Sequence, residues 1–418
     1  MSCVTIVGGT KLRGELVLQG SKNATLPILA AAVLCKGRVV LKNCPDISDV
    51  RAMLYALSFA GVESVLEDGV LELDTTNAVP YYFGEELAGK TRGGVLLLGA
   101  FLGRFGEAGM DYPGGCVIGA RPIDLHCKAF RMLHTDLKET ETGVFVKGAP
   151  KGARIVFPYP SVGATENAVL ASVCAEGRTI LYGAAAEPEI AELCRFLNKA
   201  GAKIQGIGTS CIVIDGVLYL HGTEYTVSGD RIAAGTYMAA VAMTGGELLL
   251  RNIDGVCMRG ITECFRASGA TVYRDKDRMV LRAPKRLCGI KHLTTAPYPA
   301  FPTDMQSQTV AMLSVAKGES RITETVFESR FRVLEELRKM GAWIVQEGRT
   351  VVIHGKEMLH GADVCASDLR SGAALVMAAV AAEGISVVRE YEYIARGYED
   401  ICGDFCRLGA NVVQTGEE

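Results

Sequence analysis

The sequence withholds the marks of several common function classes. Its formal net charge is −3, so neither sign is in surplus. The electrostatic footprint of a nucleic-acid or anionic-membrane binder is therefore missing. Its apolar runs, such as LPILAAAVLC from Leu26, are too short to cross a bilayer and predict buried helices. The opening residues, MSCVTIVGGTKLRGE, lack the basic and apolar regions of a secretion signal. Among 14 cysteines and six histidines there is no CxxC pair and no HExxH motif. That removes the usual zinc signatures. It predicts reduced thiols in a cytoplasmic protein that needs no metal and no cofactor. Cys402 and Cys406 share a helical face by spacing, but no His or further Cys stands near them, which argues against a metal site. What remains is an ordinary globular composition, 49% hydrophobic and 22% charged, over 418 residues. A chain of that length predicts two or more domains.

One pattern is written six times. SKNATLPILAAAVLCKGRVVLKN from Ser21 and SDLRSGAALVMAAVAAEGISVVRE from Ser367 share a polar start, a small-residue helix, a Gly and an alternating strand. Segments from Ser161, Gly229 and Pro302 have the same form, and the one from Thr91 is the most drifted. A second helical stretch follows each strand. Five of these end in Gly61, Gly201, Gly269, Gly341 and Gly409, which predicts left-handed helix caps. The sixth ends near His134. The period is about 70 residues, longer than common solenoid repeats. The first helix of each unit is apolar on nearly every face and rich in Ala, Gly and Ser, as a helix buried all round must be. Together these features predict an α/β protein with helices inside and sheets outside, in two lobes of three units.

The starts of the inner helices carry cations: Lys22 with Asn23, then Arg92, Arg231 and Arg370. The helix dipole disfavours a cation there, and positions that break a local rule tend to be functional. Long side chains reaching solvent explain any single one. Repeated at equivalent positions, they predict anion sites, where free N–H groups and a cation act together. Two acids occupy similar places, Asp304 in AFPTDMQSQ and Asp368 in SDLR. Asp368 reads equally as an N-cap and as a site residue. The rigid approach PYPAFPTD predicts a fixed carboxylate at Asp304, as a general base requires.

The stretch GGCVIGARPIDLHC, from Gly114 to Cys127, reads as a loop from its Gly and Pro content. It ends the most drifted unit, where it replaces a strand of the common pattern. Its thiol at Cys116 is, taken alone, more simply read as one small apolar residue among many cysteines.

The blocks GSKNATLPILAAAVL, GGCVIGARPIDLH, AEPEIAELCRFLNKAGAKI, TAPYPAFPTDMQSQ, ITETVFESRF, SDLRSGAALVMAAVAAEG and RGYEDI together resemble the UDP-N-acetylglucosamine enolpyruvyl transferases, over essentially the whole chain. The resemblance implies a two-domain inside-out α/β barrel built from six helix–strand repeats. Residues 22–229 would form one lobe, with the Cys116 loop, and residues 1–21 plus 230–418 the other, with the active site in the cleft between them. The implied reaction moves the enolpyruvyl group of phosphoenolpyruvate to the 3-hydroxyl of UDP-N-acetylglucosamine and releases phosphate. This is the first committed step of peptidoglycan precursor synthesis, and it runs by addition and elimination through a tetrahedral ketal.

The same resemblance implies roles. Cys116 would be the general acid, on a loop that closes over the site, and the group alkylated by an epoxide of the fosfomycin type. Asp304 would take or hold the hydroxyl proton. Lys22, Arg92, Arg121, Arg370 and Arg396 would clamp the phosphate and carboxylate of phosphoenolpyruvate, with Asn23 near the sugar hydroxyl. Arg121, Pro122, Asp124 and Leu125 would hold the uracil, and Ser161, Val162 and Gly163 the diphosphate. Val326 and Phe327 would lie along the sugar. Glu187 would support this wall, or stand as a surface acid at a helix start. Cys127 would only pack. The chain departs from the family pattern at Ala233, Ala395 and Leu96. These departures leave room for a paralogue acting on another uridine nucleotide, or for a UDP-sugar-binding protein without catalysis. The sister enzyme for shikimate 3-phosphate shares fold and donor, but it has no use for the GGCVIGARPIDLH segment.

Overall fold

The small-residue segments are helical at Lys22–Ala32, Leu96–Phe105, Val162–Ser172, Arg231–Met243, Gln306–Leu313 and Leu369–Ala381. This is seen in a computed structural model that describes residues 2–90, 93–112 and 123–415. Nearly every residue of these helices is buried. Ala, Gly and Ser add little bulk to the helix cylinder, so the axes come close. A Cβ at Gly99 would lie 2.5 Å from Asn167 Oδ1 and 2.6 Å from Asn167 O. The Leu96–Phe105 and Val162–Ser172 helices therefore meet at a separation only glycine allows.

Of the described residues, those from Gly20 to Ser228 form one compact unit. Those up to Gln19, with those from Gly229 onward, form another. Each holds three of the inner helices, packed on one another, and each has its own apolar core.

Outside the helices, six four-stranded sheets among the described residues share one strand order. Arg38–Lys42 shows the scheme. It pairs parallel with Glu224–Thr226 and antiparallel with Val70–Asp74, which in turn pairs with Glu63–Glu67. Val39 and Leu41 face the core while their neighbours do not, the period of two expected of a half-buried strand. In the last sheet the third place belongs to the N-terminal strand Cys3–Val7, bonded to Ile385–Arg389 on one side and Asn411–Thr415 on the other.

Each sheet also carries an outer helix, and the anticipated caps are present. Gly61, Gly201, Gly269, Gly341 and Gly409 have φ of 78°, 107°, 92°, 88° and 96°. His134 takes the same place with φ 62°.

One expectation needs correction. In the unit from Thr91, the strand Glu107–Asp111 is intact and pairs with both Tyr82–Phe83 and Gly143–Lys147. The Cys116 segment follows a complete strand and replaces none. Gly109 concealed this strand. A Cβ there would lie 2.5 Å from the Tyr82 ring and 2.9 Å from the Phe145 ring, so the position must forgo the side chain that would have marked the alternation.

Among the described residues the chain passes between the units twice, at Gly20 and Gly229, and both places are built alike. Asn43 and Asn252 are left-handed, with φ 54° and 62°. Asn43 Nδ2 donates to Val227 O and Asn252 Nδ2 to Leu18 O, each at 2.9 Å. A Cβ on Gly20 would lie 1.8 Å from Asn43 O, and one on Gly229 1.7 Å from Asn252 O. Ser21 N donates to Ser228 O at 2.8 Å, and Asp230 N to Gln19 O at 2.9 Å. No helix among the described residues is long and apolar enough to cross a membrane.

Candidate active site

Cys116, Arg92, Arg121 and Pro122 lie outside the described residues. The other anticipated residues fall into two groups, one in each unit.

In the unit containing Gly229 onward, the group is built around Asp304. Asp368 starts the Leu369–Ala381 helix. Its Oδ1 accepts from Arg370 N at 2.8 Å and Ser371 N at 3.0 Å, while Ser371 Oγ accepts from Asp368 N at 2.9 Å. This reciprocal cap satisfies the N–H groups of the first turn, so the capping reading of Asp368 describes its contacts. The helix so started carries Arg370, whose Nη2 donates to Asp304 Oδ2 at 2.8 Å. Arg330 Nη2 donates to the other oxygen, Oδ1, at 2.6 Å. Both arginine side chains are buried, 8% and 3% exposed, and Asp304 is 26% exposed. Burial opposes the charge on Asp304, but Arg370 and then Arg330 outweigh it and hold the carboxyl well below the usual carboxylate range. While both guanidiniums hold it, this carboxylate is well positioned and a poor proton acceptor.

Arg330 and Glu324 were not anticipated. The signal for Arg330 was a lone cation in FESRF, and its guanidinium lies 5.2 Å from the centre of the Phe327 ring. Glu324 organises the neighbouring loop. Its Oε1 accepts from Val326 N at 2.7 Å and Phe327 N at 3.1 Å, and its Oε2 from Thr303 Oγ1 at 2.8 Å. The exposed Val326 and half-buried Phe327 are thus tied to the residue before Asp304. Arg396 ends the short helix Tyr391–Ala395 and is half-buried. Arg231 is buried beside the Asp230 cap. Ala395 packs on the core of this unit and Ala233 belongs to it.

In the unit from Gly20 to Ser228, Ser21 caps the first inner helix. Lys22 opens that helix, with its Nζ 2.7 Å from Asp49 Oδ2 and the two side chains only 12% and 3% exposed. The solvent-reaching reading of Lys22 is thereby overturned. Asp49 was missed because an acid in the first turn of an outer helix is ordinary dipole chemistry. Asn23 follows at the second position. Asp124 begins the Asp124–Met132 helix, exposed, with Leu125 buried behind it. Ser161 caps Val162–Ser172, and Val162 and Gly163 form its half-buried first turn. Glu187 precedes Pro188 at a helix start but is 9% exposed, so it is not a surface acid. Close by, Glu166 is buried. Burial, then Glu189 and Glu187, push its carboxyl well above the usual range. Cys127 is buried, which pushes its thiol up to about 11, in keeping with a packing role. No cluster of metal-ligating side chains occurs among the described residues.

Comparison with known proteins bears on this arrangement. The family model for EPSP synthase (3-phosphoshikimate 1-carboxyvinyltransferase) matches residues 6–405. UDP-N-acetylglucosamine 1-carboxyvinyltransferase 2 of Caldanaerobacter subterraneus is 42% identical over 410 residues, 98% of each chain. The chain belongs to the carboxyvinyltransferase family. Another carboxyvinyltransferase, UDP-N-acetylglucosamine 1-carboxyvinyltransferase of Dichelobacter nodosus, is 42% identical over 419 residues and the full length of both chains. Among solved structures, the enolpyruvyl transferase NikO from Streptomyces tendae superposes with a TM-score of 0.89 at 25% identity, covering 99% of each chain. EPSP synthase from Acinetobacter baumannii gives 0.77 at 19% identity over both full chains, which shows the shared mixed α/β fold of the carboxyvinyltransferases.

Proposed function

We propose that the chain transfers the enolpyruvyl group of phosphoenolpyruvate to the 3-hydroxyl of UDP-N-acetylglucosamine, releasing phosphate, at the first committed step of peptidoglycan precursor synthesis in the cytoplasm. The observation that carries this reading is the full-length identity of 42% with relatives named for that transfer. The recurring sheet order supports the finer architecture, an inside-out barrel of six repeats.

Addition requires a proton for the methylene carbon of the donor, a new bond from the sugar oxygen to the adjacent carbon, and an acceptor for the hydroxyl proton. Cys116 is assigned the first proton and Asp304 the last. Elimination then removes a proton from the new methyl group as phosphate leaves, which restores the double bond. Lys22, Arg92, Arg121, Arg370 and Arg396 are assigned to the donor's phosphate and carboxylate, and Arg330 joins them by its place beside Arg370. Asn23 is assigned to the sugar hydroxyl. Arg121, Pro122, Asp124 and Leu125 are assigned to the uracil. The diphosphate falls to Ser161, Val162 and Gly163, and the sugar wall to Val326, Phe327 and Glu187. Asp368 contributes by holding Arg370. When a donor anion draws the guanidiniums toward itself, Asp304 loses the charges that lower its basicity. The base would thus be released only when the donor is bound.

The test is phosphate release by the purified protein. It should require both phosphoenolpyruvate and UDP-N-acetylglucosamine. Folded protein that releases none with that pair would sink the reading and favour a binding protein without catalysis.

A further inference from the structure

His126 is the one polar side chain of the RPIDLH segment, among its described residues, that the proposed reaction leaves unused. Its side chain is 7% exposed. The Val162–Ser172 helix packs on it and is itself bonded to the Leu96–Phe105 helix. Asn167, within Val162–Ser172, accepts at Oδ1 from Gly99 N at 2.8 Å, which fixes which end of its amide is oxygen. Asn167 Nδ2 then donates to Val95 O at 2.9 Å and stands 2.7 Å from His126 Nδ1. An amide nitrogen only donates, so His126 Nδ1 must accept. A neutral ring with Nδ1 unprotonated carries its hydrogen on Nε2. Burial keeps the ring neutral, since it holds the imidazole down to about 4. The Nε2 edge has no hydrogen-bond partner among the described residues. It lies against Gly163, where a Cβ would be 3.1 Å from Cε1 and 3.4 Å from Nε2. The N–H edge of a ring only 7% exposed thus lies beside the first turn of an eleven-residue helix, at Gly163, two residues from the Ser161 cap, while the ring itself is one residue from Leu125.

We propose that His126 is a nucleotide-contacting residue whose Nε2–H donates to the uridine diphosphate moiety, in a tautomer dictated from the interior by Gly99 and Asn167. This rests on the assignment of Asp124–Leu125 and Ser161–Gly163 to the nucleotide. Gly163 has a second purpose in this arrangement, because any side chain there would cover the donor. The donor is uncharged. It therefore adds direction to the recognition of the diphosphate without competing with the cations for it.

Two substitutions separate the ring's two nitrogens. Asn places its amide oxygen where Nδ1 is, so His126→Asn keeps the bond from Asn167 and loses the ligand donor. Gln places its amide nitrogen near Nε2, so His126→Gln keeps the ligand donor and loses the interior bond. His126→Asn should melt near wild type and raise KM for UDP-N-acetylglucosamine about tenfold, with KM for phosphoenolpyruvate and kcat little changed. His126→Gln should melt lower and keep a near-wild-type KM for the nucleotide sugar. The reverse pattern, or an unchanged KM in His126→Asn, overturns the proposal. A second measurement needs no variant. In 15N-histidine spectra of the wild-type protein, one neutral ring should be in the Nε2–H form, and its Nε2 resonance should move when UDP-N-acetylglucosamine is added. A ring protonated at Nδ1, or an unmoved resonance in the presence of demonstrated binding, refutes it. If wild-type protein neither binds the nucleotide sugar nor releases phosphate, the underlying functional reading has failed instead.

Discussion

Asp304 bonded to two buried arginines is the most consequential arrangement at the residue scale. Replacing Arg330 by Met removes one guanidinium from a site that has little water to substitute for it. Loss of a buried partner of this kind costs about 3 kcal/mol, roughly a hundredfold. Arg330→Met should therefore lower kcat/KM for phosphoenolpyruvate by that order, with KM for the nucleotide sugar nearly unchanged, in steady-state phosphate release. An equal loss on both substrates would reduce Arg330 to a structural strut. Two other buried groups make stability depend on pH, with opposite signs. His126 is held down to about 4, so between the unfolded value near 6.5 and that point only the unfolded chain binds the proton. Its contribution is full above about pH 6.5 and declines as pH falls toward 4, by about 3 kcal/mol in all. Glu166 is pushed well above the usual carboxylate range, first by burial. The folded state then binds the extra proton, and stability falls as pH rises through the shifted value. Glu166→Gln should accordingly gain stability over wild type above neutral pH, and His126→Asn should flatten the loss below pH 6.5, both read from urea melts across pH. Sequence alone pointed to Arg370 and Lys22 because each sets a cation at a helix start, and to Asp304 because prolines hold its approach rigid. It passed over Arg330, Asp49 and Glu166, whose roles arise from partners distant in the chain.

For the elements, the governing feature is how closely the inner helices approach. Their composition was readable in advance, as were the five Gly caps, because both follow from local backbone and packing rules. The strand Glu107–Asp111 was not, since its central glycine is explained only by the rings of Tyr82 and Phe145 across the sheet. Gly99→Ala tests the close approach. The added methyl would meet Asn167 O at about its built distance of 2.6 Å, and overpacking of a tight core costs about 1–3 kcal/mol. Thermal unfolding should shift down by several degrees, and the amide that orients His126 should be disturbed with it. A melting temperature equal to wild type would mean that the helices separate freely.

In the molecule as a whole, the described residues fall into two units, and in each of them one strand pairs far from its place in the repeat pattern. Arg13–Val17 precedes the first inner helix yet pairs with Glu247–Arg251, while Glu224–Thr226 precedes the fourth yet pairs with Arg38–Lys42. Such pairings have a sequence separation that no local pattern reports. The N-terminal strand makes the same point, because it is central in its sheet. Deleting residues through Val7 should expose two strand edges at once. Calorimetry should then show early melting of the unit from Gly229 onward, with the unit from Gly20 to Ser228 melting near its original temperature. Unchanged melting of both would show that the strand is dispensable.

That topology also sets a timetable for synthesis. The unit from Gly20 to Ser228 is an insertion, and all of it has left the ribosome by the time Ser228 has cleared the tunnel. The first 19 residues face a longer delay. Cys3–Val7 has no partner until Ile385–Arg389 and Asn411–Thr415 have been translated, which at about 5–20 residues per second is some tens of seconds later. Throughout that interval an apolar strand with both edges open is carried at the front of the chain. The nascent protein is most exposed to aggregation and most dependent on chaperones while its middle is already folded and its beginning is still waiting for its end.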